Sequence, residues 1–187
     1  MFPEFDAAPA APGPTTGTDA APKTSGARGF VIRTDGAARG NPGPASLGAV
    51  LIGRERSDAF DPNARPDATI SEFLGHQTNN VAEYTGVVRA LALAHELGGD
   101  RVELLLDSKL IVEQLHGRWR VKDSKLIPLW AECRRLLGGF SRWSAGHVPR
   151  AQNGAADALA NEAIDRVSAG GPAVVVRRPG RDGSEGT

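Results

Sequence analysis

Hydrophobic and polar positions divide the chain into three stretches. Residues 1–28 carry Ala, Pro, Gly and Thr and almost no large apolar side chains. Such a segment cannot bury enough surface to offset its ordering entropy, so a disordered tail is expected there. A flexible tail is expected again over 170–187, although AVVV at 173–176 could dock transiently. Between them, over 29–169, apolar residues recur with the periods of both strands and helices, as one folded domain requires.

Apolar runs at about 29–35, 47–55 and 69–77 read as three strands, separated by turn formers such as NPGP and RSDAFDPNARPDA. Their short connections imply an antiparallel meander. Tyr84, Val87, Val88, Leu91 and Ala94 recur at helical spacing, predicting a helix from about Asn80 to Leu97 that GGD closes. RVELLLD at 101–107 is an unbroken apolar run, the mark of a strand covered on both faces. A helix over KLIVEQLHG follows, then another at about 125–137 with Leu126, Leu129, Trp130, Cys133 and Leu137 on one face. SRWSAGHV reads as a final strand. AQNGAADALANEAIDRV reads as a closing helix with Leu159, Ala163 and Val167 on its buried stripe. The order βββαβααβα predicts an α/β fold, a five-stranded mixed sheet with helices on both faces. Strand one is then central, beside the strand that ends at Asp107.

Composition adds bounds. A chain of 187 residues, 40% hydrophobic and 24% charged, is long enough for one domain with a real core. No apolar run approaches the roughly 20 residues that span a bilayer. The N-terminus MFPEFDAAPAAPGPTTG lacks the basic-then-apolar pattern of a secretory signal. With Cys133 alone no internal disulfide can form, which fits a reducing cytoplasm. A cytoplasmic location is therefore expected, and the chain is read as a monomer. Four scattered histidines and one cysteine make no zinc-like set, so a metal here is to be held by oxygen. Formal net charge is +0, but between Ser108 and Arg150 nine Lys and Arg face three Asp and Glu. That excess permits a polyanionic partner and equally fits a solvated basic face.

Four acids then stand out. Asp35 ends strand one, Glu83 sits in the first turn of the first helix, Asp107 ends the fourth strand, and Asp157 enters the last helix. Each also fits a plainer part: Asp35 in a turn, Asp107 as a helix cap, Glu83 at the positive end of a helix dipole, Asp157 as an exposed helical acid. Together they say more, because the expected topology brings acids from distant segments to one end of the sheet. Crowded carboxylates repel unless a cation joins them, and hard divalent ions suit oxygen ligands. Two such ions about 4 Å apart could clamp the attacking and leaving oxygens of a phosphodiester.

TDGAARGNPGP, TNNVAEY, LLLDSKLIVEQ and HVPRAQNGAADALANEA resemble, in order and spacing, the motifs of the type 1 ribonucleases H. The resemblance covers about 29–168. It implies the ribonuclease H-like fold, with strands 1–3 antiparallel and strands 4 and 5 parallel. It implies two Mg²⁺ ions per site, Mn²⁺ being a possible substitute, and an RNA–DNA hybrid as substrate. By position, Asp35 looks like the carboxylate that bridges both ions. Glu83 and Asp107 resemble ligands of the leaving-group ion, Glu83 lying also near the RNA 2′-hydroxyl. Asp157 resembles the ligand on the nucleophile side, and His147 the mobile histidine that assists proton transfer or product departure. Gly36, Asn41, Thr78, Asn79, Asn80 and Asn153 match substrate-contacting positions, Thr78 that of a DNA-strand phosphate contact, and Trp119 lies one residue out of register with an aromatic that contacts the DNA strand. Asn41 and Asn79 also fit turn and capping roles, and His147 fits a strand-end histidine satisfied by backbone.

One departure is visible. The well-known bacterial enzyme has a long basic protrusion where only RVKDSKLIP separates Trp119 from Leu129 here, and a separate hybrid-binding domain before the core is not expected. Affinity is then expected to rest on Arg118, Arg120, Lys122 and Lys125 and to fall steeply with salt. Two other readings share the fold: a non-catalytic binding module, which would lack a carboxylate, and a nuclease acting on DNA.

Overall fold

The structure, a computed structural model, describes residues 28–180. Its elements are β1 (Arg28–Ala38), β2 (Gly43–Gly53), β3 (Ala68–Gln77), α1 (Asn79–Glu96), β4 (Gly99–Leu106), α2 (Lys109–Leu115), α3 (Ile127–Leu137), β5 (Arg142–His147), α4 (Gly154–Ser168) and β6 (Val174–Arg177). The expected N-terminal tail lies outside the described residues except for Arg28, which opens β1. Among the described residues no helix is long and apolar enough to cross a membrane.

The sheet has six strands, not five, in the order β5-β4-β1-β2-β3-β6. β1, β2 and β3 form the antiparallel meander, and β4 and β5 run parallel to β1, as expected. The sixth strand corrects the reading of 170–187 as a tail. Thr69–Glu72 of β3 pair with Val174–Arg177, and Phe73 N donates to Ala173 O at 2.8 Å. Arg166 of α4 clamps the return, Nε donating to Pro172 O and Nη2 to Ser71 O, both at 2.8 Å. Four residues with Val174 49% exposed bury little surface. What holds them is a ladder on the open edge of β3 and an arginine from another element, neither visible in local composition.

Two unlike faces cover the sheet. On one, Phe30, Ile32, Leu47 and Leu51 meet Tyr84, Val87 and Leu91 of α1, and Cys133 and Leu137 of α3 complete this main core. Cys133 is buried, as its helical face predicted. On the other, α4 lies across β1, β2 and β3. Its buried residues are Ala156, Ala160, Ala163 and Ile164, while Leu159 and Val167 stay half-buried, so of the expected stripe Ala163 is the fully buried member. Small side chains let the backbones close. A Cβ on Gly48 would run into Ala156 and Ala160, and Ser46 Oγ donates to Ala160 O at 2.5 Å. Because α4 stops short of β4, that strand alternates buried Val102, Leu104 and Leu106 with half-buried Arg101, Glu103 and Leu105, instead of being covered on both faces.

Candidate active site

β1 does not stop at Asp35. It runs on to Ala38, with Asp35 paired to Gly48 and Gly36 to Leu47, so Asp35-Gly36 is strand interior and not a turn. Gly36 is there for close approach: a Cβ on it would strike the backbone of Ala82 and Glu83. Alternation along β1 sends Asp35 to the α4 face, where it is buried. Parallel pairing of β1 with β4 brings the strand end at Leu106 beside Thr34, and Asp107 follows at once.

The remaining acids arrive from the helices. Asp157 lies in the first turn of α4, and its carboxyl group acts on that of Asp35. Glu83 belongs to the second turn of α1, not the first, because the helix begins at Asn79. Its carboxylate accepts from Asn79 Nδ2 at 2.9 Å and from Ser108. Asp107 does not cap α2; Ser108 holds that position. All four acids therefore share one electrostatic neighbourhood, in which Asp107 acts on both Asp35 and Glu83.

Electrostatics record the crowding. Burial, then the charge of Asp107 and the nearby Asp157 carboxyl, push the Asp35 carboxyl up to about 7. Burial and Asp107 also raise Glu83, against its bonds from Ser108 and Asn79. Asp35 Oδ2 is buried with no donor in reach. One cation opposes the group: Arg150 Nη2 donates to Asp157 Oδ1 at 2.8 Å, and its charge is felt at Asp35 and Glu83.

Among the described residues no three His, Cys, Asp or Glu side chains stand at the spacing of a ready-made metal cage. The acids meet pairwise, with Arg150 on one of them. The donor set nevertheless fits a hard divalent cation: carboxylate oxygens only, one of them orphaned and buried, in a cluster with excess negative charge.

The other expected site residues divide. Asn41 Oδ1 accepts from Asn79 N at 3.2 Å, and Thr78 caps α1, its Oγ1 accepting from Val81 N at 3.3 Å. These bonds gather the β1–β2 turn and the start of α1 beside Glu83. Asn80 is exposed there, and Trp119 is 46% exposed in the α2–α3 connection. His147 is exposed at the end of β5, paired with Leu106 and so close to Asp107 in the parallel ladder. Asn153 corrects its expected substrate contact. It is fully buried, and its Nδ2 donates to Thr34 O at 2.9 Å and Asp107 Oδ1 at 3.0 Å, tying the strand ends to the start of α4. Arg150 and Asn161, whose Nδ2 donates to Asp157 O at 3.0 Å, were not anticipated as site residues. Asn161 stands at i+4 from Asp157 on α4, a spacing visible in the sequence.

Residues 33–163 match a family model described as reverse transcriptase-like. The chain is 40% identical over 167 residues to the bifunctional protein Rv2228c of Mycobacterium tuberculosis, covering 84% of this chain and 44% of that protein. The solved N-terminal RNase H domain of that protein superposes with a TM-score of 0.67 at 43% identity, over 73% of this chain and 99% of the domain. Ribonuclease HI of Halobacterium salinarum is 45% identical over 131 residues, which are 70% of this chain and 62% of that protein. A crystal structure of LC11-RNase H1 in complex with an RNA/DNA hybrid superposes with a TM-score of 0.65 at 36% identity, over 74% of this chain and 99% of that one. The chain thus spans less than half of the mycobacterial relative and less than two thirds of the Halobacterium one. It belongs to the type 1 ribonuclease H family.

Proposed function

We propose that the chain is a metal-dependent endonuclease that cuts the RNA strand of RNA–DNA hybrids, leaving 5′-phosphate and 3′-hydroxyl ends, and that it acts as a monomer. One observation carries the reading: Asp107 and Asp157 press on Asp35, whose buried carboxyl keeps an oxygen without a partner, and Glu83 joins the cluster through Asp107. The hybrid-bound relative supports the substrate class.

Asp35, Glu83, Asp107 and Asp157 would hold paired Mg²⁺, with Mn²⁺ as the substitute. Bound there, the ions supply a nucleophilic water on one side of the phosphodiester and stabilise the departing alkoxide on the other. In this reading Asp35 would serve both ions, Glu83 and Asp107 the leaving-group side, and Asp157 the nucleophile side. Asn79 steadies the Glu83 carboxylate, and Asn153 fixes Asp107 against β1. His147, exposed at the rim beside Asp107, would accept or return a proton there.

Recognition falls to the polar rim. Asn41, Asn79 and Asn80 stand where they can read RNA 2′-hydroxyls, the group that separates RNA from DNA. Thr78 takes a DNA-strand phosphate, Gly36 admits the backbone, and Trp119 offers an exposed face to the DNA strand. Arg118 is paired with Glu113, so Arg120, Lys122 and Lys125 carry most of the free positive charge in the α2–α3 connection. Hybrid affinity then falls steeply between low and physiological salt.

A labelled hybrid, incubated with and without EDTA beside all-DNA, all-RNA and single-stranded controls, tests the proposal. Cleavage of the RNA strand in the hybrid, abolished by EDTA, is the expected result. Binding without cleavage in Mg²⁺ and Mn²⁺, or cleavage of the all-DNA duplex, would replace it.

A further inference from the structure

We infer that Arg150 is a built-in counter-ion of the acid cluster, a positioning residue that holds Asp157 until a divalent cation takes its place. The inference rests on the reading of the cluster as a cation site. Arg150 opens the short 3₁₀ turn Arg150–Gln152 between β5 and α4, and its Nη2 donates to Asp157 Oδ1 at 2.8 Å. Its charge acts on Asp35, Asp157, Asp107 and Glu83, so one guanidinium serves the whole cluster. Four acids minus one arginine leave a surplus of three negative charges when all are ionised.

The surroundings allow an exchange. The Arg150 side chain is 75% exposed, so turning it outward sacrifices little packing. The turn does not depend on the ion pair, because Asn153 anchors it to Thr34 and Asp107, and Val148 N donates to Leu106 O at 2.8 Å. Asp157 is also tethered without Arg150, since Asn161 Nδ2 donates to its Oδ2 at 3.3 Å. A cation arriving at Asp157 meets an aimed carboxylate with an exposed competitor on it. The ion pair thus offsets carboxylate repulsion in the metal-free protein and weakens cation affinity by the same interaction.

Thermal unfolding across a Mg²⁺ titration tests this on the full chain, the Arg150→Ala variant and the Arg150→Lys variant. In EDTA, Arg150→Ala melts below the parent protein. Saturating Mg²⁺ closes that gap, and the Mg²⁺ concentration giving half the rise in Tm falls roughly three- to tenfold, the effect of removing one opposing charge at contact distance. Arg150→Lys, which keeps the charge without the fork, falls between the two. A merely structural arginine would lower Tm equally with and without Mg²⁺, and that result, or an unchanged or higher Mg²⁺ midpoint in Arg150→Ala, overturns the inference. Should the parent protein show no Mg²⁺ response at all, the cation-site reading fails first and the counter-ion role falls with it.

Discussion

Two charged clusters sit toward opposite ends of β1, and they are built differently from the same residue types. Near Gly53, Arg56 donates to Asp58 through Nε and Nη2, at 2.8 and 2.6 Å, and to Asp67 Oδ1 through Nη1 at 2.8 Å. Asp67 Oδ2 accepts from Gly53 N at 2.6 Å, so each charge there meets a partner at the surface. Near Gly48, Asp35 is buried, is pressed by Asp107 and Asp157, and keeps an orphan oxygen, with Arg150 as the opposing cation. The first cluster fastens a loop. The second holds unresolved repulsion that a low-dielectric setting preserves, and the large α1-side core is what lets the fold carry it.

The sharpest way to break the contrast is Asp35→Asn. It removes the central charge while keeping shape, and RNA-strand cleavage should drop by about 10³-fold or more, with hybrid affinity changed only a few-fold. Single-turnover assays beside a binding titration check it, and an active variant would deny Asp35 its role. The next effect is on stability without metal. The folded Asp35 carboxyl, pushed up to about 7 from an ordinary 3.8, keeps a proton that the unfolded chain releases. Between about pH 4 and 7 the folded state therefore binds more protons than the unfolded one, and stability falls as pH rises, by on the order of 3 kcal/mol. Melting in EDTA from pH 5 to 7.5 should show the decline, and both Asp35→Asn and added Mg²⁺ should flatten it. A flat profile in the parent protein would mean that the acids are not crowded.

Gly48→Ala probes the joint between the cluster and the sheet. The added methyl displaces α4, and with it Asp157, at a cost of about 2 kcal/mol, so Tm and cleavage should fall together. Arg56→Ala, in the satisfied cluster, should have the smallest effect. Exposed ion pairs contribute little, so Tm should move by no more than roughly 2 °C and cleavage should be untouched. A large loss of activity there would erase the distinction between the two ends.

Much of this was legible before any coordinates. Periodicity located β1 to β5 and α1 to α4 to within a few residues, because each element buries a stripe that repeats at its own period. Asp35, Glu83, Asp107 and Asp157 were legible as a set through the order and spacing of their motifs. Boundaries and side-chain partners were not. DG looked like a turn because those residues favour turns, yet pairing with Gly48 and Leu47 carries the strand through them. Asn153 looked like a substrate contact through the resemblance, yet it is buried at the start of α4 and bonded to Thr34 and Asp107.

Local pattern thus determined the element types, the α/β order and the identity of the acids, since helical and extended periods and residue chemistry are written along the chain. Long-range packing alone decided that Val174–Arg177 would close the sheet, that Gly36 and Gly48 would let helices approach, and that Asn153 would tie Asp107 to β1. The reason is physical. Those outcomes depend on which backbones and charges meet across 46 to 126 positions of sequence, as the bonds from Asn153 to Asp107 and from Arg39 to Asp165 do, and no local window contains both partners.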